Sequence, residues 1–249
     1  SHQHANASAT DNHPWGAIFA YGSCVNPTIT AVASPTSVCP GSPVTLTAGG
    51  AATYTWLPGS ATTAIANVTP TATTIYTVNA KNTAGCLGTQ TVMVTVNPLP
   101  TVNVAATPSA ICIGNSSSIS ASGASTYTWS PGALTGGTVT VSPAASTIYT
   151  VTGTSTAGCV GTNTLGVTVN PLPVVAPSNN GPVCVGGVLN LSVAASTSYT
   201  WSGPNTFNSN LQNPSITNVS SAEGGVYTVS VTNANGCVNS NTTNVVISP

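Results

Sequence analysis

The sequence predicts an all-β chain of three tandem β-sandwich repeats, and three observations support this. Matching segments recur three times at a near-constant period. Within each segment apolar residues alternate with Ser and Thr. Cysteine, tryptophan and tyrosine keep fixed offsets from copy to copy.

The repetition is direct. TYTWLPG from Thr53, TIYTV from Thr74 and TAGC ending at Cys86 form the first copy. TYTWSPG from Thr126, TIYTV from Thr147 and TAGC ending at Cys159 form the second. SYTWSG from Ser198, GVYTV from Gly225 and NANGC ending at Cys237 form the third. Trp56, Trp129 and Trp201 follow Cys39, Cys112 and Cys184 at one constant offset. Tyr76, Tyr149 and Tyr227 precede the closing cysteine at another. A fixed period of this length denotes repeated structural units.

Each unit reads as strands. VTLTA, TYTW, IYTV and VMVTV alternate apolar with hydroxyl side chains, the period-two pattern of a strand with one buried face. Pro58-Gly59, Pro131-Gly132 and the NANG at 233–236 are turn signals. No stretch has a convincing helical period. About seven short strands per unit make an immunoglobulin-like β-sandwich. The expected organisation is an N-terminal extension over 1–24 and repeats over 25–97, 98–170 and 171–249. VNPLP at 96–100 and 169–173 sets two prolines between repeats, which favours stiff, extended connections and a semi-rigid rod.

A sandwich this small has a marginal core, so one disulfide per repeat is expected to support it. Spacing does not fix connectivity. Pairing within repeats, Cys39–Cys86, Cys112–Cys159 and Cys184–Cys237, is the scheme each copy can satisfy alone. Cys24 is the odd cysteine of seven. It reads either as an intermolecular or other non-repeat disulfide, or as an unpaired buried thiol.

Residues 1–23 match no repeat, yet hold Trp15, Phe19 and Tyr21 in a chain with 5% aromatics. In an extended strand these three share one face with Ala17, and Ile18 lies on the other. Cys24-Val25-Asn26-Pro27 aligns by letter with Thr95-Val96-Asn97-Pro98, so the segment occupies the slot of a last strand. Two readings stay open: a strand donated to a neighbouring subunit, making Cys24, Trp15, Ile18, Phe19 and Tyr21 intersubunit residues, or a local cap on the first repeat.

Composition narrows function. Charged residues are 1% of the chain, against about 25% in ordinary proteins; they are Asp11, Lys81 and Glu223. One lysine cannot neutralise a phosphate backbone or an anionic membrane surface, so neither nucleic acid nor membrane is expected as partner. There is no apolar run long enough to span a bilayer, so membrane insertion is not expected. Asp11 and Glu223 are too far apart in the chain to suggest a carboxylate pair. His2, His4 and His13 crowd together near the N-terminus without a nucleophile pattern. No enzyme activity, cofactor or metal is expected. The recurring Trp and Tyr read as core packing in preference to sugar stacking. Phe207, in the longer loop of the third repeat, reads as an exposed contact.

TYTWSPG, TIYTVTGT, AGC and VTVNPLP resemble the Ig-like and PKD-like repeats of Bacteroidetes cell-surface proteins, gliding adhesins included. The resemblance covers residues 25–249. It implies export, commonly by type IX secretion, and a stalk, spacer or filament role. No C-terminal sorting domain of that system is visible, and Ser1 reads as a mature N-terminus. The expectation is a secreted, extracellular or cell-surface structural subunit that polymerises with itself head to tail, with glycans or other surface proteins as further partners. The alternative is a stalk fragment of a larger adhesin.

Overall fold

The computed structural model describes residues 24–249. The proposed N-terminal strand, with Trp15, Ile18, Phe19 and Tyr21, lies outside these residues, as do the histidines and Asp11. The described chain is all-β apart from one 3₁₀ turn, Ser221–Glu223.

The first repeat contains β1 (Thr30–Ser34), β2 (Ser37–Val38), β3 (Val44–Gly49), β4 (Thr53–Leu57), β5 (Ile65–Val68), β6 (Thr74–Lys81) and β7 (Leu87–Val96). They form two sheets, ordered β1-β3-β5 and β2-β7-β6-β4. The chain's first strand is thus split: β1 lies antiparallel to β3, and β2 crosses to the other sheet and runs parallel to the end of β7. Alternation places Leu46 from one sheet against Trp56, Val78 and Val94 from the other, all nearly inaccessible. Ser and Thr take the outward positions, which supplies polar surface without charge.

The second repeat has β8 (Asn103–Thr107), β9 (Ala110–Cys112), β10 (Ser117–Ser122), β11 (Thr126–Ser130), β12 (Leu134–Thr135), β13 (Thr138–Val141), β14 (Thr147–Thr154) and β15 (Val160–Asn170). Its sheets are β8-β10-β13 and β12-β11-β14-β15-β9, with β9 parallel to the end of β15. The third has β16 (Ser178–Asn179), β17 (Val183–Cys184), β18 (Val188–Ser192), β19 (Ser198–Ser202), β20 (Asn208–Ser209), β21 (Ser215–Thr217), β22 (Gly225–Thr232), β23 (Val238–Val245) and β24 (Ile247–Ser248). Here β16-β18-β21 faces β20-β19-β22-β23, and β17 pairs in parallel with β24. Two packed, mainly antiparallel sheets per repeat make tandem immunoglobulin-like sandwiches, as the strand pattern predicts. Each repeat has its own core, centred on Trp56, Trp129 or Trp201. By compactness the described residues divide into two units, one ending at Asn97 and the other running Pro98–Pro249.

The YTW motif has a structural cause. Its Trp points into the core, so the Tyr two residues earlier lies on the same face near the sandwich end. The Tyr54 hydroxyl accepts from the Ala51 amide at 3.0 Å and donates to the Ala51 carbonyl at 2.8 Å. Tyr127 makes the same pair with Ala124, and Tyr199 with Ser196. Each tyrosine closes the turn before its own strand, and Tyr76, Tyr149 and Tyr227 are buried. The aromatic repeats are therefore core and turn residues.

Phe207 corrects the expectation of an exposed contact. It packs partly buried on the third core, edge-on to Tyr227 with ring centroids 5.4 Å apart.

Gly123 follows β10 with φ +97°, and a Cβ there would stand 2.0 Å from the Thr101 carbonyl oxygen. Gly50 meets Thr28 in the same way. This close approach seats the segment entering each of these repeats. Gly123→Ala is expected to destabilise the second repeat by about 3 kcal/mol, through left-handed backbone strain and overpacking. Urea unfolding followed by tryptophan fluorescence checks this, and an unchanged midpoint would contradict it.

Candidate functional site: the cysteine-bridged repeat junction

Six of the seven cysteines, Cys24, Cys39, Cys86, Cys112, Cys159 and Cys237, are disulfide-bonded; Cys184 is free and exposed. The bridges are not those expected from within-repeat pairing. Cys86 is bonded to Cys24, and Cys112 to Cys237 in the following repeat, both with Cα separations of 5.6 Å. Cys39–Cys86, Cys112–Cys159 and Cys184–Cys237 are therefore all corrected. Cys24 makes a non-repeat disulfide inside its own chain, so it is neither an unpaired thiol nor an intersubunit bond.

The reason lies in strand direction. Cys159 immediately precedes β15, whereas Cys112 lies beside Asn170 at the far end of the same strand. Ten residues of strand span about 33 Å, while a disulfide needs Cα atoms within about 7 Å. The two cysteines of one repeat thus sit at opposite ends of the sandwich. Cys86 and Cys39 flank β7 in this way, and Cys237 and Cys184 flank β23 and β24.

The second-to-third junction shows what the cysteines join. The turn 233–237 folds on itself: the Cys237 amide donates to Asn233 Oδ1 at 3.0 Å, and the Gly236 amide to the Asn233 carbonyl at 3.0 Å. Asn233 Nδ2 is left to donate outward, to the Pro171 carbonyl at 3.0 Å. The buried Cys237 sulfur lies 4.0 Å from the Asn170 carbonyl oxygen, and Cys112 is the β-ladder partner of Asn170. The closing turn of one repeat thereby lands on the last strand and opening cysteine of the repeat before it. Asn239 and Asn241, on the same face of β23, donate to the Pro173 and Val175 carbonyls at 2.9 Å each. Asparagine amides thus hold a linker whose prolines have no N–H to offer.

The first repeat makes the same grip on its own chain. Asn82 Nδ2 donates to the Val25 carbonyl at 3.0 Å, so Val25 stands where Pro171 does. Cys24 consequently takes the place of Asn170, and reaches Cys86 directly. The letter alignment of Cys24 with Thr95 is corrected accordingly, since Asn97 and not Thr95 is the counterpart of Asn170.

Other chemistry is sparse. Among the described residues no group of three or more His, Cys, Asp or Glu could hold a metal. No helix there is long and apolar enough to cross a membrane. Glu223 is a capping residue: its carboxylate accepts from the Ser220 amide and hydroxyl, each at 2.7 Å, and from Asn205 Nδ2 at 2.6 Å. The Ser220 hydrogen bonds, with that from Asn205, hold its pKa below the usual carboxylate value. Burial raises the phenols of Tyr76, Tyr149 and Tyr227.

No protein-family model matches the sequence. No curated protein matches it either. Among solved structures, the three N-terminal domains of the bacteriophage RB49 Highly Immunogenic Outer Capsid protein align at 13% identity and TM-score 0.36, covering 90% of this chain and 100% of that one. A 1.5-MDa bacterial ice-binding adhesin, described for host cell surface retention, aligns at 16% identity and TM-score 0.37, covering 90% and 99%. A Ca2+-stabilized adhesin with which an Antarctic bacterium binds ice aligns at 16% identity and TM-score 0.39, covering 90% and 75%.

Proposed function

We propose that this chain is a non-enzymatic structural module of an extracellular fibre or cell-surface filament, joined end to end with its own kind. The observation that carries the reading is the Cys112–Cys237 bond across two successive repeats. A disulfide within a repeat stabilises that repeat alone, whereas one between repeats fixes the joint and transmits tension along the array. Such bonds persist in oxidising, extracellular surroundings. Near-zero charge fits the same role, because it removes the repulsion that keeps soluble monomers apart. In this reading residues 1–23, with Trp15, Ile18, Phe19 and Tyr21, supply the strand added to a neighbour.

A second reading, a spacer within a longer adhesin, is favoured by one observation. The pairing of Cys184 with Ser248 repeats that of Cys112 with Asn170, the arrangement on which a further repeat is seated.

Electron microscopy of native, unreduced protein tests the first reading. Long fibres with an axial period matching one chain are expected. Isolated three-repeat particles at all concentrations would defeat it and leave the spacer.

A further inference from the structure

We infer that Cys184 is an acceptor thiol for the closing cysteine of another domain of this repeat type, which stacks on the third repeat and forms with Cys184 the bond that Cys112 forms with Cys237. This rests on the reading of the chain as an array-forming surface module, and names the partner that extends the array.

The cysteine is one part of a duplicated arrangement. In the second repeat, Val169 and Asn170 pair in parallel with Ile111 and Cys112, and the Ile113 amide donates to the Asn170 carbonyl at 3.0 Å. In the third, Ile247 and Ser248 pair in parallel with Val183 and Cys184, and the Val185 amide donates to the Ser248 carbonyl at 2.9 Å. Pro249 follows Ser248 as Pro171 follows Asn170. The bonded example fixes the ligand: at Cys112 this arrangement holds a cysteine from the next domain, delivered by a turn whose asparagine amide donates to the proline carbonyl. At the third repeat the same register, the same backbone hydrogen bond and the following proline are present, and the thiol is free and exposed.

The partner is therefore an immunoglobulin-like domain with an Asn-x-x-Gly-Cys closing turn and an unpaired cysteine. The first repeat of this chain has such a turn, Asn82 to Cys86, but its asparagine grips Val25 and its cysteine is bonded to Cys24. Cys24 thus acts as a cap that keeps a wild-type first repeat from serving as partner until that bond opens. Joining two thiols releases two protons and two electrons. A small-molecule disulfide such as oxidised glutathione takes these up and leaves as two thiols.

The chain itself supplies the probe. Cys24→Ser frees Cys86 while leaving Cys184 intact. Air-excluded Cys24→Ser protein treated with oxidised glutathione should form a ladder on a non-reducing gel, at least tenfold above the Cys24→Ser/Cys184→Ser double variant. Mass spectrometry of peptic digests should show Cys184 linked to Cys86. Near-UV circular dichroism checks that the variant is folded. As a second route that needs no substitution, wild-type protein in mixed reduced and oxidised glutathione exchanges its Cys24–Cys86 bond and should give the same linked peptide. That peptide from either preparation supports the inference. Its absence from both, or Cys184 found only with itself or with glutathione, overturns it. Fibres lacking the linked peptide would overturn the bond while leaving the fibre reading intact. The linked peptide without fibres in native material would support the bond and count against that reading.

Discussion

Stretched between its ends in a force spectrometer, the oxidised chain should gain about 600 Å of contour length when a reductant is added, at the reach of an extended backbone. The expectation follows from the two bridges, whose cysteines are 62 and 125 residues apart. Tension entering at Cys24 passes through sulfur to Cys86, runs along the peptide to Cys112, and passes through sulfur again to Cys237. The residues inside both loops add nothing to the extended length while the bonds last. At about 3.3 Å per extended residue they store about 600 Å of chain. Within-repeat bridges would store only about 500 Å under the same rule. A sharper discrimination comes from Cys184→Ser: a Cys184–Cys237 bridge would be lost and the oxidised trace lengthened, whereas the bonds seen here predict no change. A trace insensitive to reductant would contradict the connectivity outright. Each bridge also constrains the unfolded chain, by about 4 to 5 kcal/mol in the loop-entropy account.

What the sequence showed and what it concealed divide along a physical line. Properties local to a strand were legible. Alternation and recurrence mark Trp56, Trp129 and Trp201 as core, and each is buried. The three repeated sandwiches follow from the same period-two pattern. Properties that depend on where a strand ends in space were not. Cys112 and Cys159 look like partners because they recur together, but β15 carries them to opposite ends of the fold. Only the strand direction of the full sandwich reveals this, and spacing contains no strand direction. The register of Cys24 was lost for a related reason. The letters Val-Asn-Pro recur at 25–27 and 96–98, yet the contacts of Asn82 and Asn233 tie Val25 to the position of Pro171. A missed signal was present: an asparagine, Asn82 or Asn233, opens the closing turn in the first and third repeats, where a turn alone would accept many residues. The loop of Phe207 has no counterpart in the other copies, so repetition carries no sign that it packs on Tyr227.

The tryptophans should separate into two classes when replaced, although all three are equally buried. Trp129→Ala should cost about 3 to 5 kcal/mol, the usual range for emptying a large aromatic site. The finer contrast comes from phenylalanine, which retains most of the apolar surface and deletes the indole N–H. Trp129 Nε1 donates to the Gly136 carbonyl at 3.0 Å, and Trp56 Nε1 to the Thr63 carbonyl at 3.2 Å. Trp201 Nε1 is buried without a partner among the described residues. The cause is the longer third loop. The return strand pairs Leu134 with Trp129, but Ser209 with Trp201, so the residue seven positions on, which accepts from Trp56 and Trp129, comes before the tryptophan's strand partner in the third repeat and not after it, as Gly136 does. Trp129→Phe therefore loses a hydrogen bond and leaves the Gly136 carbonyl short of a donor. Trp201→Phe removes a donor that was already unsatisfied. An unmet buried polar group costs about 1 to 3 kcal/mol, so Trp201→Phe should be milder than Trp129→Phe by about 2 kcal/mol. Urea midpoints of the two variants, each against the parent under oxidising conditions, provide the comparison. Equal losses would mean that the third-repeat indole finds a partner after all, and that its loop follows a different path.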